Sequence, residues 1–281
     1  MSAKSDYLEG KILNHVLRNT TYTPATTLYT CLYLNNGVGP RDDDVGEEVK
    51  GGSYARTAIT FGTPSSPGGI SSNSADVTFP TASADWGTIG FLGIKDANNV
   101  DVIVEDCEDA WNESVGPDVT STLDTTDKKV GAGSAKLAVA AGASAGDILA
   151  TEAIEPLNIT NAYQIALWIK CSVATVAGNL QLLLDNDAKC VSPLETLNIP
   201  ALEAGTWTRV ALPLATPANL TAIISVGLKY AVDIGACDIW LDDITAIKGN
   251  LLYYGAVATA KIVYNGDIAK FLAGSLQVQE S

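Results

Sequence analysis

The sequence predicts a mainly β protein of two domains, one of which interrupts the other. Short runs of alternating or aliphatic residues recur along the chain, separated by Gly, Pro, Asn and Asp turns. Apolar residues make up 47% of the 281 residues, which is enough for two modest cores. The strand-rich stretch Val77–Ala97 (VTFPTASADWGTIGFLGIKDA) ends at a turn-like cluster with no partner strand after it. The partner that fits it best, GNLLYYGAV, begins only at Gly249.

The first hundred residues contain one helix and several strands. Residues 6–18 predict an amphipathic helix, because five apolar residues share one helical stripe: Leu8, Ile12, Leu13, Val16 and Leu17. The strand TTLYTCLYL alternates so that both of its faces are expected to be partly buried. Residues 41–48 (RDDDVGEE) predict a solvated acidic loop, and GGSYAR opens the strand TAITF.

These patterns place two domain boundaries in the chain. We expect a discontinuous, small β-sandwich-type host domain with one N-terminal helix, formed by residues 1–98 and 249–281. Residues 99–248 form a second domain, inserted at a hairpin turn of the first. An exposed turn tolerates such an insertion because its two ends stay close together and few contacts are lost.

The formal charge of −15 is unevenly distributed. Residues 98–248 contain 20 acidic and 8 basic side chains, whereas the two host segments contain 12 and 9. An acidic, self-repelling insert is typical of a solvated, outward-facing module, and a shortage of Lys and Arg argues against nucleic-acid binding. No apolar run approaches the ~20 residues that a membrane span needs, and the N-terminus has no apolar core of a signal peptide, so we expect no membrane insertion.

The five cysteines (Cys31, Cys107, Cys171, Cys190 and Cys237) have no CxxC spacing, which argues against a zinc site. The simplest interpretation is buried free thiols in a protein made in a cytoplasm. A disulfide that forms after release from the cell is the alternative, and the odd number leaves at least one thiol unpaired or bonded between chains.

The host segments resemble a family of phage proteins. The segments LEGKILNHVLRNTTYTPATTLYTCLYL, EVKGGSYARTAITFG, SNSADVTFPTASADWGTIGFLGIKDA and GNLLYYGAVATAKIVYNGDIAKFLAGSLQV occur in the order found in tail fibre or minor virion structural proteins of tailed phages. Short members of that family run from the DA turn directly into GNLLYYG, which supports an insertion at this point. The resemblance implies a virion building block, assembled in the bacterial host cytoplasm.

The intervening segment predicts a two-sheet β-sandwich, because about seven short strands are separated by turn residues. The order of VDVIVEDCEDAW, GSAKLAV, ALWIKCSV, GTWTRVALPL and CDIWLDDITAIK resembles carbohydrate-binding-module jelly rolls over residues 101–247. This resemblance implies an inserted β-jelly-roll sandwich. It also implies a structural calcium ion between the first and last strands, with Glu105 or Asp106 and Asp242 or Asp243 as ligands. Calcium takes six to eight oxygen ligands, so backbone carbonyls and water would complete its shell; the alternative is that these acids only cap strand ends.

Sugar recognition needs aromatic faces and nearby polar groups. The candidates for glycan binding are Trp111, Tyr163, Trp168 and Tyr230, and Trp111 in the polar stretch EDAWNES is expected to be the most exposed. Trp207 and Trp240 lie among alternating aliphatic residues, which favours packing. For each single tryptophan, core packing is the competing interpretation.

The sequence gives little support for catalysis. His15 is the only histidine, on the helix, so histidine metal clusters are excluded by number and a catalytic triad has one candidate base. No motif identifies a carboxylate pair for glycoside cleavage, and GAGSAK lacks the ending of a phosphate-binding loop. We therefore expect a protein that is not an enzyme.

Taken together, the residues and the two resemblances predict a structural component of a tailed-phage particle, a fibre or decoration protein. Its partners would be other virion proteins, further copies of itself in a symmetric oligomer such as a trimer, and surface glycans bound by the outward jelly roll. Two alternatives stay open: a capsid or neck decoration protein whose insert has no ligand, and a glycan depolymerase.

Overall fold

The computed structural model describes residues 3–36 and 38–279. The chain divides into two compact units, one formed by Met1–Asp101 together with Lys248–Ser281 and the other by Val102–Ile247. We call them the split unit and the central unit. The sequence placed these boundaries after residues 98 and 248, within three residues of the divisions that the structure shows.

Strands dominate both units, and in the described residues there is one α-helix. The split unit contains β1 (Ala3–Lys4), α1 (Asp6–Arg18), β2 (Leu28–Leu34), β3 (Thr57–Ile59), β4 (Ile70–Ser72), β5 (Val77–Thr81), β6 (Gly87–Lys95), β18 (Leu251–Val263), β19 (Ile268–Phe271) and β20 (Gln277–Gln279). The central unit contains β7 (Val102–Glu105), β8 (Ser114–Val115), β9 (Val119–Asp124), β10 (Ser134–Val139), β11 (Ile148–Leu157), β12 (Ala162–Cys171), β13 (Leu180–Asp185), β14 (Glu195–Asn198), β15 (Thr208–Pro213), β16 (Ile223–Tyr230) and β17 (Cys237–Lys248). No helix in the described part of the chain has the length and apolarity that a membrane span requires.

The split unit is built on a five-stranded sheet of order β1-β18-β6-β2-β3. The predicted pairing across the interruption is confirmed, because Ile94 lies opposite Tyr253 and Gly93 opposite Tyr254 in the antiparallel β6–β18 ladder. Two small ladders, β5–β19 and β4–β20, supply a second layer. The core between the layers includes Phe79, which stacks on Tyr54 with ring centroids 6.1 Å apart.

Helix α1 begins at a cap and ends at a left-handed residue. The Ser5 hydroxyl accepts a hydrogen bond from the Leu8 N–H at 3.3 Å, which satisfies one free donor of the first turn. Asn19 ends the helix with φ 53°. The predicted apolar stripe is present, but Leu8 is its only buried member. Leu13, Val16 and Leu17 are 56%, 69% and 75% exposed.

The central unit is a two-sheet antiparallel sandwich. One sheet has the order β15-β12-β17-β10-β9, with β7 paired to β17, and the other has the order β14-β13-β16-β11-β8. The chain passes between the sheets repeatedly from β10 to β17, as in a jelly roll, so the predicted mainly β class with a jelly-roll module is confirmed. Inward-facing aliphatic side chains of both sheets form one continuous core.

Candidate functional site

The sheet that contains β12 and β17 has an outer face rich in tryptophan and lysine. Leu167 and Ile169 of β12 are fully buried in the core, so strand alternation directs Trp168 and Lys170 to the opposite side. On the neighbouring strands Lys136 lies opposite Trp240, and Trp168 lies opposite Arg209. We call this surface the tryptophan–lysine face; it consists of Lys136, Trp168, Lys170, Trp207, Arg209 and Trp240.

Cations cover the aromatic rings of this face. The Lys170 ammonium lies 3.7 Å from the centroid of the Trp240 ring and 5.5 Å from that of Trp207. Lys129 lies 4.6 Å from the centroid of the Trp168 ring. A cation over an indole face is stabilised by the ring quadrupole, and the stabilisation grows as water is excluded. Burial lowers the pKa of Lys170 below its ordinary value, in keeping with this partly dehydrated position.

The segment between β9 and β10 folds onto the same face. The Asp127 carboxylate accepts a hydrogen bond from the Trp207 indole N–H at 2.7 Å and pairs with the Lys170 ammonium. The Asp242 carboxylate of β17 accepts the backbone N–H groups of Lys129 and Val130 at 2.7 and 3.0 Å. These bonds hold the segment in place and leave little of the Trp168 ring exposed to solvent.

The structure corrects the predicted glycan-binding residues. Trp111, expected to be the most exposed, is 0% exposed and packs in the core, because its polar flanking residues face solvent while its own side chain points inward. Tyr230 is equally buried and its hydroxyl donates to the Gly235 carbonyl at 2.7 Å. Trp168 is 4% exposed, and Tyr163 is half-buried. Trp111, Trp168 and Tyr230 are therefore too buried to present an open aromatic face.

Trp207 is the most accessible tryptophan. It was expected to pack in the core or at an edge, and among the five tryptophans, all within the described residues, it is the only one that is not buried. Its ring lies beside Lys170 and Asp127, so an aromatic surface, a cation and a carboxylate meet at this edge of the sheet. Local sequence does not reveal this because Asp127 and Lys170, which lie beside Trp207, are distant from it along the chain.

The predicted calcium ligands lie on neighbouring strands, as expected. Glu105 of β7 is opposite Ile244 of β17, two residues after Asp242. Glu105 accepts the Cys107 N–H at 3.0 Å, and burial raises its pKa to about 7, with a further contribution from the Asp106 charge. Burial likewise raises the pKa of Asp242 to about 6, and its buried Oδ1 atom has no hydrogen-bond partner among residues 3–36 and 38–279. Burial therefore makes the ionised form of both carboxylates unfavourable, and a nearby cation would stabilise that form.

The other two predicted ligands are already engaged. Asp106 is exposed and its carboxylate accepts the Glu108 N–H at 3.2 Å. Asp243 pairs with the Arg209 guanidinium at 2.9 Å and occupies a left-handed backbone position, φ 43°, beside a bulge in β17. In residues 3–36 and 38–279 no group of three or more His, Cys, Asp and Glu side chains is arranged to hold a metal ion. A calcium ion held by Glu105 and Asp242 would need backbone and water oxygens as additional ligands.

A second polar cluster, in the split unit, was not predicted. The Arg56 guanidinium binds Glu48 at 2.6 Å and Asp101 at 2.9 Å, and all three side chains are 0% exposed. Lys95, also 0% exposed, lies 2.9 Å from Asp44 and 3.5 Å from Asp101. The expectation that residues 41–48 are a solvated loop holds for Arg41 and Asp42, which are exposed. It is wrong for residues 44–48, because Asp44 and Glu48 neutralise two buried cations.

Comparison with known proteins gives one family match. Residues 3–100 match the family described as podophage GP4 fiber I protein gp80. No curated protein matches the chain.

Solved structures similar to this chain include carbohydrate-binding modules of Clostridium thermocellum. A family 11 module of a cellulosomal cellulase is 14% identical, covers 54% of this chain and 97% of its own, and has a TM-score of 0.39. The family 11 module in complex with a β-1,3-1,4-mixed-linked tetrasaccharide is 12% identical, with coverages of 53% and 96% and a TM-score of 0.37. A family 30 module is 14% identical, with coverages of 57% and 100% and a TM-score of 0.34.

The family match covers the segment that contains the helix, β2, the GGSYAR motif and the interrupted strand pair up to β6. Three of the four segments on which the resemblance to phage proteins rested lie in this range, and the fourth, which begins at Gly249, lies outside it. The predicted resemblance is therefore confirmed over residues 3–100, which match the podophage fibre family.

Proposed function

We propose that the protein is a structural component of a tailed-phage particle, with the split unit as the anchor and the central unit as a displayed module. The observation that carries the proposal is the match of residues 3–100 to a podophage fibre family. The concentration of acidic side chains in residues 98–248 supports an outward position for the central unit, because like charges are best tolerated in water. The role is structural and adhesive, with no catalytic step.

The split unit offers apolar surface for assembly. Leu13, Val16 and Leu17 form an exposed stripe on α1, and such a stripe is typical of a protein–protein contact. Two clefts flank the middle of β18, one of about 560 Å³ that reaches Phe271 and one of about 340 Å³ that reaches Phe61. We propose that this surface contacts further copies of the chain, in a symmetric oligomer such as a trimer, or other virion proteins.

The proposal is tested on purified particles. Labelling of intact virions with an antibody against the full chain is expected to decorate a fibre or another external structure. Decoration of the capsid or neck instead would favour the decoration-protein alternative. Absence of the protein from purified particles would overturn the proposal.

We further propose that the central unit adheres weakly to glycans through the Trp207 edge of the tryptophan–lysine face. An aromatic ring with an adjacent carboxylate and ammonium supplies both stacking and hydrogen bonds to hydroxyls, and many copies on a particle convert weak contacts into retention. The full chain, displayed at high valency on beads, is expected to bind part of a glycan array. Trp207→Ala should abolish that binding, whereas Val176→Ala, an exposed change on another loop, should not.

A specific observation favours a second function, a spacer or stabiliser without a ligand. Trp111, Trp168 and Tyr230 are buried, so three of the four predicted sugar contacts are unavailable. The same array separates the two functions. Absence of binding by the wild-type chain at high valency would remove the adhesin and leave the spacer.

Calcium is the one cofactor that we propose, as a brace between β7 and β17. Glu105 and Asp242 would supply carboxylate oxygens, and the ion would offset the cost of their burial. It would stabilise the central unit and take no part in a reaction.

A further inference from the structure

The central unit places two thiols in direct contact at one end of a sheet. Cys171 is the last residue of β12 and Cys237 is the first residue of β17, and these strands are neighbours. Their thiols are hydrogen-bonded to each other. Next to them, the Ser172 N–H donates to the Asp238 carbonyl and the Asp238 N–H donates to the Ser172 hydroxyl, both at 2.8 Å, which holds the two strand ends together.

The other cysteines lie in different environments. Cys31 is in the split unit, fully buried, and burial raises the pKa of its thiol to about 12. The Cys190 sulfur lies 3.3 Å from the Ser225 hydroxyl, and burial raises its pKa to about 12 as well. Burial also raises the pKa of Cys107, with neighbouring carboxylates adding to the effect. These three thiols are held in the unreactive protonated form.

We propose that Cys171 and Cys237 are a redox pair, two thiols that a peroxide converts into a disulfide across the β12–β17 ladder once the protein leaves a reducing cytoplasm. The geometry favours this bond because both sulfurs face the same core from adjacent strands. Cys237 keeps 7% exposure at the end of its strand, which gives a small oxidant access to the pair. Disulfides persist in oxidising surroundings, where a released phage particle functions.

The two thiols have different roles in the reaction. The hydrogen bond from Cys237, aided by the Val173 and Ser172 backbone N–H groups, lowers the pKa of Cys171 to about 7, so Cys171 is the thiolate. Donating that bond raises the pKa of Cys237, which stays protonated. The Cys171 thiolate attacks one peroxide oxygen, the O–O bond breaks, and the hydroxide that leaves takes a proton to become water. The Cys237 sulfur then attacks the Cys171 sulfenic acid, the S–O bond breaks as the S–S bond forms, and the Cys237 proton leaves with hydroxide as a second water. Two sulfurs are oxidised and one peroxide is reduced.

The test uses the full chain, purified in reductant, exchanged into buffer and treated with a small excess of hydrogen peroxide. After alkylation of the remaining thiols, digestion without reductant is expected to yield one linked peptide pair containing Cys171 and Cys237, lighter than the sum of the free peptides by two hydrogen atoms. Cys31, Cys107 and Cys190 should be recovered alkylated. Recovery of Cys171 and Cys237 as separate alkylated peptides, or linkage of either to another cysteine, would overturn the proposal.

Thermal unfolding supplies a second readout. Oxidation is expected to raise the melting temperature of the central unit by roughly 5 °C or more, because the bond constrains a long loop of the unfolded chain. Dithiothreitol should reverse this rise. Cys237→Ser should abolish it, whereas Cys190→Ser, which changes a buried thiol outside the pair, should retain it. An equal rise in the Cys237→Ser chain would contradict the assignment even if the linked peptide is found.

Discussion

The Asp101 carboxylate lies 2.9 Å from the Arg56 guanidinium, and neither side chain is exposed to solvent. The same carboxylate accepts the Lys248 backbone N–H at 2.7 Å. Arg56 in turn donates to the carbonyls of Ala97 and Lys248 at 3.0 and 2.8 Å. Asp101, the residue at which the chain leaves the split unit, is thus hydrogen-bonded to Lys248, the residue at which it returns, and Arg56 bonds to both. A buried pair of this kind depends on both partners, because removal of one leaves the other charge uncompensated.

Asp101→Asn is therefore expected to destabilise the split unit by about 3 kcal/mol, since Arg56 and Lys95 lose a shared counter-ion in a dry environment. Hydrogen-exchange mass spectrometry of β2 and β6 peptides measures the change. Asp43→Asn is the matched control, because Asp43 pairs with Arg41 at 2.7 Å but on an exposed surface, where the effect should stay below about 1 kcal/mol. Equal effects of the two variants would show that burial of the cluster adds nothing to the stability of the split unit beyond that of an exposed ion pair.

Mild acid should stabilise the central unit when a chelator is present. Burial raises the pKa of Glu105 from 4.5 to about 7 and that of Asp242 from 3.8 to about 6. A carboxyl whose pKa is higher in the folded state takes up a proton on folding, so stability rises as the pH falls through 7 and 6 and levels off near 4.5. The melting temperature of the central unit should be higher at pH 5 than at pH 8.

The control for this pH dependence is a pair of neutralising changes. Glu105→Gln should remove much of the difference between pH 5 and pH 8, whereas Glu155→Gln, at an exposed position, should preserve it. A wild-type chain that loses stability steadily from pH 8 to pH 5 would contradict the assignment of these two groups.

Calcium should stabilise the same region when the Glu105 and Asp242 carboxylates are ionised. At pH 7.5, saturating calcium is expected to raise the melting temperature of the central unit by several degrees, because an ion that binds only the folded state stabilises it by mass action. Glu105→Gln and Asp242→Asn should each abolish the rise. A melting temperature that is the same in calcium and in chelator would contradict the proposed calcium site.

The exposed stripe of α1 should control self-association. Val16→Asp or Leu17→Asp places a charge in a surface that a partner copy would have to desolvate, so either change is expected to reduce the mass measured by analytical ultracentrifugation. His15→Asp adds a similar charge to an exposed position of the same helix beside the stripe and should have a smaller effect. A wild-type chain that sediments as a monomer at high concentration would contradict self-association through the stripe.

Local pattern was a reliable guide wherever one face of an element had to be buried. The alternation of β12, the period of α1 and the interrupted pairing of β6 with β18 follow from side-chain geometry along a strand or helix. Local pattern was a poor guide to polar segments. Glu48 lies in a stretch that predicts a solvated loop, yet it is buried. Its charge pairs with Arg56, eight residues away, and its carboxylate accepts the backbone N–H of Asp101, far along the chain.

The sequence by itself determined that the chain is mainly β, that one strand pair is interrupted, and that a separate acidic sandwich occupies the interruption. Each of these properties depends on periodicity, turn residues and charge, which can be read from short stretches of the chain. Only the tertiary structure decided which tryptophan is accessible, which acids are buried beside cations, and which two of five thiols touch. Those properties depend on contacts between residues far apart in the chain, and burial of a polar side chain is favourable only when a distant partner satisfies it.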